Sequence, residues 1–228
     1  MNIKIIGVGG TGSILVDLVS RYVSYLPGNN KKITLVDGDV VEHKNLRRQT
    51  LTKPGELKVL DKLEQVKALY RNIEFSYSPV YVDQNNVSSI ITESDIVFLC
   101  VDNHKTRKIV DEHCQKLNNI VLISSGNEEV DGSCQIYVKR GGEEVTNPIS
   151  RFHPEIRDAS DKLPTEPVSC KDIVDEKPQL FFTNATSAII MCWLFRTFLE
   201  KRDLSEEVYF DIDKMKVQPS KRRVAKCL

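Results

Sequence analysis

Apolar and polar positions along this chain switch between two periods. Residues 2–7 read as a short buried strand. From Ser13 to Leu26 the apolar side chains fall at 15, 18, 19, 22 and 26, a helical spacing that the Pro27-Gly28-Asn29-Asn30 turn ends. A second strand, Ile33-Thr34-Leu35-Val36, delivers Asp37 at its end. Asp39 to Gly55 is polar and irregular, and Glu56 to Tyr70 returns to helical spacing with apolar positions at 59, 60, 63, 66 and 70. A strand-like stretch from Phe75 to Val82, a short helix near Asn86 to Thr92 and an apolar strand, Ile96 to Cys100, follow. A helix from about Lys105 to Leu117 and a buried strand, Val121-Leu122-Ile123, keep the rhythm. This alternation predicts an α/β fold: a Rossmann-like, doubly wound, mostly parallel sheet with helices on both faces.

After Ser133 the rhythm changes. Cys134 to Val138 alternates like an exposed antiparallel strand, and Lys139 to Lys177 is polar and broken by prolines at 148, 154, 164 and 167. It reads as the main part of a long crossover loop over 139–179. An apolar helix over 180–202 and an alternating strand, Val208 to Ile212, come next, before a basic tail at Lys221, Arg222, Arg223 and Lys226. One domain over 1–228 is expected, with the nucleotide-binding part in 1–133 and an antiparallel extension in 134–228.

Composition narrows the function classes. Thirty-two basic residues balance thirty-two acidic ones, so no net field favours nucleic acid or an anionic membrane as partner. The apolar run from Leu180 to Leu199 is interrupted by Thr183, Asn184, Thr186, Ser187 and Arg196 and reads as a buried helix, not a membrane span. Six scattered cysteines without short repeated spacing do not suggest a disulfide framework. With a glycine turn already at residue 7 where a leader peptide would run, a cytoplasmic setting is expected.

The candidate chemistry begins at that turn. Gly7, Gly9, Gly10 and Gly12 lie where a strand must turn into a helix, whose bare N-terminal amides suit phosphate oxygens, with Thr11 and Ser13 as further hydroxyl donors. Asp37 closes the second strand, where a carboxylate accepts ribose hydroxyls. These residues by themselves fit a dehydrogenase as well as any other nucleotide binder. Asp39, the run Asn45-Leu46-Arg47-Arg48-Gln49, and Lys58 then add an amide, a guanidinium and an ammonium beside the phosphates. That is more positive charge than hydride transfer needs, and it suits a phosphorus centre under attack.

In this order the residues resemble the ThiF/MoeB/HesA family, bacterial relatives of ubiquitin-activating enzymes, and the resemblance continues into Cys100-Val101-Asp102-Asn103 and Arg107. It implies a homodimeric adenylyltransferase that uses ATP and Mg2+ to activate the C-terminal glycine carboxylate of a small ubiquitin-like or sulfur-carrier protein. The implied roles are ribose binding by Asp37, phosphate contacts by Asn45, Arg48 and Lys58, and magnesium coordination by Asp102. Gln49 belongs to the motif with a less defined role. Capping of the following helix is an alternative duty for Asp102. Some family members pass the acyl group to a cysteine in the crossover loop, which makes Cys170 the candidate nucleophile; an exposed, nonfunctional thiol is the alternative there.

Two departures from the family pattern stand out. Paired C-x-x-C motifs are absent, so no structural zinc is expected, and the histidines at 43, 104, 113 and 153 form no ligand spacing and read as solvated or capping. At most two residues precede the apolar run of the first strand, where relatives carry an arm with an arginine for the partner subunit; that arginine is expected to be missing or supplied elsewhere. A noncatalytic partner subunit is the alternative function, and an NAD-dependent oxidoreductase a third.

Overall fold

In the computed structural model, which describes residues 1–166 and 180–221, the alternating elements form one nine-stranded sheet. β1 (Asn2–Ile6) leads through α1 (Gly10–Tyr25) into β2 (Lys32–Val36), and α2 (Lys58–Lys67) into β3 (Glu74–Ser78). α3 (Val87–Ile90), β4 (Ile96–Leu99), α4 (His104–Cys114) and β5 (Ile120–Asn127) follow, then β6 (Asp131–Arg140) and the short β7 (Glu143–Glu144). α5 (Pro154–Arg157), α6 (Phe181–Leu199), β8 (Glu207–Asp211) and β9 (Lys216–Ser220) come last. The strand order is β3-β2-β1-β4-β5-β6-β8-β9, with β7 paired to β6. The first five strands run parallel, and the others join antiparallel.

Successive strand residues point to opposite faces, so Ile3, Ile5, Phe98 and Ile123 enter one apolar layer with Leu15, Val19 and Phe195. Ile6, Val97, Leu99 and Leu122 enter another with Ile109, Val110 and Ile156. Burial on both faces is why the central strands read as unbroken apolar runs. α6 packs on α1 through Asn184, which stands against Gly10 and Thr11, and through Phe195, whose ring meets Tyr22 of α1 and Phe98 of β4 edge-on at 5.9 and 5.3 Å.

Two expectations for the C-terminal part are corrected. Cys134 to Val138 is not an exposed strand: all five residues are buried in β6, between β5 and β8. The second face of that strand is covered by the segment expected to be a bare loop, which folds into β7, a 3-10 turn at Ile149–Arg151 and α5. Ile149 and Ile156 seal it against Tyr137, while the Ile149 and Ser150 amides each donate to Asp111 at 3.1 Å. The remainder of the expected loop, 167–179, lies outside the described residues. β9 is a further strand between the expected last strand and the basic tail; its Pro219 is tolerated because the strand lies at the sheet edge. Among the described residues no helix is long and apolar enough to cross a membrane.

The chain runs outward from β1 through β2 to β3 and then returns to place β4 on the other side of β1. Beyond the carboxyl ends of β1 and β4 this reversal opens a crevice, the usual place for a ligand in such a sheet.

Candidate active site

The walls of that crevice are built by the glycine turn. Gly7 has φ of +87°, and a Cβ there would lie 2.7 Å from the Cys100 carbonyl, while one on Gly12 would lie 1.9 Å from the Gly7 carbonyl. Only bare backbone lets α1 start this close to the strand ends, with its first-turn amides free of intrahelical partners. Gly9 and Gly10 line the cleft. Gly10 has a second duty, since a Cβ there would stand 2.5 Å from the Asn184 side chain of α6. Asn184, which the sequence reading did not single out, accepts from Thr11 Oγ1 at 3.2 Å and from Asn127 Nδ2 at 3.0 Å. Ser13 Oγ accepts from the Thr50 amide at 3.1 Å and donates to the Gly10 carbonyl at 3.4 Å, so neither hydroxyl expected for phosphate is free.

Asp37 and Asp39 follow β2. Asp37 accepts from the Val8 amide at 2.6 Å and the Asp39 amide at 2.8 Å, and burial pushes its carboxyl up. A carboxylate has further lone pairs to offer a hydroxyl. Asp39 takes Lys58 Nζ at 2.6 Å on one oxygen and the Tyr81 hydroxyl on the other. Burial pushes Asp39 up, but these two hydrogen bonds outweigh it and hold the carboxyl below its usual range. Tyr81, another residue missed in the sequence, lies over Gly38, where a Cβ would come within 2.8 Å of its ring.

Residues His43–Arg47 form a 3-10 turn that presents the next group. Asn45 is buried and its Oδ1 accepts from the Glu42 amide at 2.9 Å, so the carbonyl end of this side chain holds the turn itself. Gln49 is buried with Oε1 unpartnered, and Arg48, half-buried at the cleft, makes no side-chain hydrogen bond or ion pair among the described residues. Asp102 is exposed into the same cleft and likewise makes none. The capping alternative for Asp102 fails, because Asn103 caps α4, its side chain accepting from the Thr106 amide at 2.8 Å. Arg107 is buried behind them, donating to the Val101 carbonyl at 2.6 Å with Nε unpartnered among the described residues, and burial pulls its guanidinium down.

The cleft has a volume of about 2140 Å³ and extends from these residues to Asn127, Asp131 and Ser133 near the β5–β6 turn and Tyr209 and Phe210 of β8. One small ligand is usually held in roughly 300–1,000 Å³, so there is room for a second reactant beside a nucleotide.

Other expectations fall outside this site. Cys114 and Cys134 are buried as anticipated, Cys100 and Cys192 only partly, and burial pushes the thiols of the latter two up to about 12. Cys170 lies outside the described residues. His153 is not solvated: it bridges Glu155 at 2.7 Å and Glu207 at 2.8 Å. Among the described residues no three His, Cys, Asp or Glu side chains form a metal-holding group.

Residues 1–226 match the ThiF family model. The chain belongs to the ThiF family. Among the relatives of this ThiF-family chain, the molybdopterin-synthase adenylyltransferase of Escherichia coli is 26% identical over 156 residues, 67% of this chain and 60% of that protein. The adenylyltransferase and sulfurtransferase UBA4 of Candida glabrata is 31% identical over 128 residues, 54% and 28% of the two chains. The SAMP-activating enzyme E1 of Haloferax volcanii is 27% identical over 143 residues, 61% and 50%. The chain thus spans between about a quarter and three fifths of the length of these relatives. The crystal structure of E. coli MccB has the same fold, with a TM-score of 0.73 and 18% identity over 96% of this chain and 62% of that one. MccB with ATP gives a TM-score of 0.71 and 18% identity over 99% and 65%.

Proposed function

We propose that this ThiF-family protein is an ATP-dependent adenylyltransferase acting on the C-terminal glycine carboxylate of a small ubiquitin-like or sulfur-carrier protein. One observation carries the reading. Arg48, Gln49 Oε1 and Asp102 converge on the glycine turn at the carboxyl edge of the sheet and have no hydrogen-bond or ion-pair partner among the described residues. Buried or cleft-facing polar groups in that state await a ligand. The names of the E. coli and Haloferax relatives agree with it.

In the proposed reaction an oxygen of the carrier's carboxylate attacks the α-phosphorus of ATP. The acyl–oxygen–phosphorus bond forms, the α–β phosphoanhydride bond breaks, and pyrophosphate leaves with the electron pair. The attacking group is already ionised, so no side chain has to remove a proton. The α1 amides hold the phosphates, Arg48 and Lys58 offset charge at the reacting phosphorus, and Asp37 takes the ribose. Asp102 would hold Mg2+ together with phosphate oxygens, a common arrangement for this ion. When bound, the ion supplies charge neutralisation. Asn45 holds the turn that carries this loop, Gln49 would offer its side-chain amide, with Oε1 unbonded among the described residues, to the nucleotide, and Asp39 keeps Lys58 in place. The carrier tail would lie in the far end of the cleft, toward Asn127 and Tyr209.

Transfer of the acyl group to Cys170, forming a thioester as AMP leaves, is the second step proposed; an unchanged adduct yield in Cys170→Ala would remove it. A homodimer in the cytoplasm completes the reading, supported by the exposed α6 face of Phe182, Ile189 and Trp193. ATP–pyrophosphate exchange dependent on a carrier ending in glycine is the expected result. No exchange with any such carrier, together with no ATP binding, would overturn the proposal.

A further inference from the structure

Residues 48–53 have no helix or strand to hold them, yet they begin with Arg48 and Gln49. Polar backbone in such a segment must find partners elsewhere when it is buried, and here α2 supplies them with two consecutive side chains. Asp61 takes the downstream half, accepting from the Thr52 amide at 2.6 Å, the Thr52 hydroxyl at 2.8 Å and the Lys53 amide at 3.3 Å. Lys62 takes the half next to Arg48. Its Nζ donates to Thr50 Oγ1 at 2.8 Å and the Thr50 carbonyl at 3.3 Å, as well as to Asp17 at 2.6 Å and Gln65 at 3.2 Å. The Thr50 amide donates to Ser13 in the first turn of α1, and its hydroxyl donates to Asp17 at 3.4 Å. Every polar group of Thr50 is therefore tied to α1 or α2.

The Lys62 side chain is only 1% exposed, and burial pulls its amine down. An ammonium so deep is costly, and a methionine would fill the same space without that cost. Its three donors are what the site uses. Lys62 does not line the cleft and touches no candidate phosphate ligand. Its reach ends at Thr50, two residues from Arg48.

We infer that Lys62 is a positioning residue that, through Thr50 and Asp17, holds Arg48 and Gln49 against the first turn of α1. The inference rests on the adenylation proposed above for the catalytic part of its test, and its structural part stands apart from it.

The experiment compares wild type, Lys62→Met and Thr50→Val, each with and without Arg48→Ala. Thr50→Val removes a single hydroxyl and serves if Lys62→Met does not fold. Amide hydrogen exchange across 48–51 is expected to speed up by about tenfold or more in either variant, with β4 and β5 unchanged, the pattern of a local rather than a global opening. Carrier-dependent pyrophosphate exchange is expected to fall about tenfold in kcat with the carrier's KM unchanged, and to fall no further when Arg48 is already alanine, since residues acting through one another are not additive. Unchanged amide exchange across 48–51, or a full additional loss in the Arg48→Ala background, would overturn the inference. Inactive wild-type protein would count against the adenylation, while the amide exchange would still decide the clamp.

Discussion

Two ion-paired clusters in this molecule are built from similar groups and do different things. At the cleft, Lys58 meets Asp39, whose side chain is 43% exposed, with Tyr81 on the other oxygen. Under the sheet's C-terminal half, His153 lies between Glu155 and a Glu207 side chain that is 3% exposed, and Gln135 also donates to Glu207 at 3.1 Å. The first cluster opens onto Arg48 and Asp102, which make no side-chain hydrogen bond or ion pair among the described residues; in the second, His153 fastens α5 to β8 through the buried Glu207. What separates them is whether a polar group remains available to something outside the chain.

Breaking each cluster should therefore read out differently. Arg48→Ala should lower carrier-dependent pyrophosphate exchange by roughly 10²–10³, the usual loss when one donor to a developing charge is removed, and leave the melting temperature almost unchanged. Asp102→Asn should weaken the response to Mg2+ in the same assay and have little effect on stability; equal loss of stability in either variant would erase the distinction. His153→Ala should cost about 3 kcal/mol in denaturant unfolding, because Glu207 would be left buried without its partner, while the folded variant keeps its ATP affinity.

The pH dependence of stability sharpens the comparison. Burial pulls His153 down, but its bonds to Glu207 and Glu155 more than reverse this and raise it from its ordinary 6.5. Its stabilisation is complete below 6.5 and is lost as the pH rises through the elevated folded value. Glu207 is raised by burial and lowered more strongly by His153 and Gln135, to below its ordinary 4.5. That stabilisation is present above 4.5 and is lost as the pH falls through the folded value. Wild type should thus gain most over His153→Gln between those ordinary values, as measured by unfolding at a series of pH values. The smallest effect is expected for Tyr81→Phe, about 1 kcal/mol or several-fold in ATP affinity, for loss of one hydrogen bond to Asp39.

Much of the cleft was legible in the sequence because its residues sit at strand ends, where local pattern is strong. The glycine turn, Asp37 and Asp102 each follow a run of apolar residues, and a parallel sheet puts such ends on one edge. Asn45, Arg48 and Lys58 were readable from spacing and from the family resemblance. Tyr81, Asn184 and the Lys62–Thr50 contacts were not, because each depends on a partner outside its own element and carries no local signal. The C-terminal half was the least legible: β6 was mistaken for an exposed strand because the residues that cover it, Ile149 and Ile156, stand isolated among polar neighbours.

The order of strands and helices up to β5, and the chemistry available at the ends of β1, β2 and β4, follow from the sequence alone, since period and turn residues act over a few positions. Tertiary structure decided which charges are spent and which are available. Asp39 and Lys58 are paired, the Thr11 and Ser13 hydroxyls donate to Asn184 and to the Gly10 carbonyl, and Arg48 and Asp102 are left open to the cleft. A hydrogen bond depends on distances of about 3 Å between groups that can be a hundred or more residues apart, and only the packed fold sets those distances.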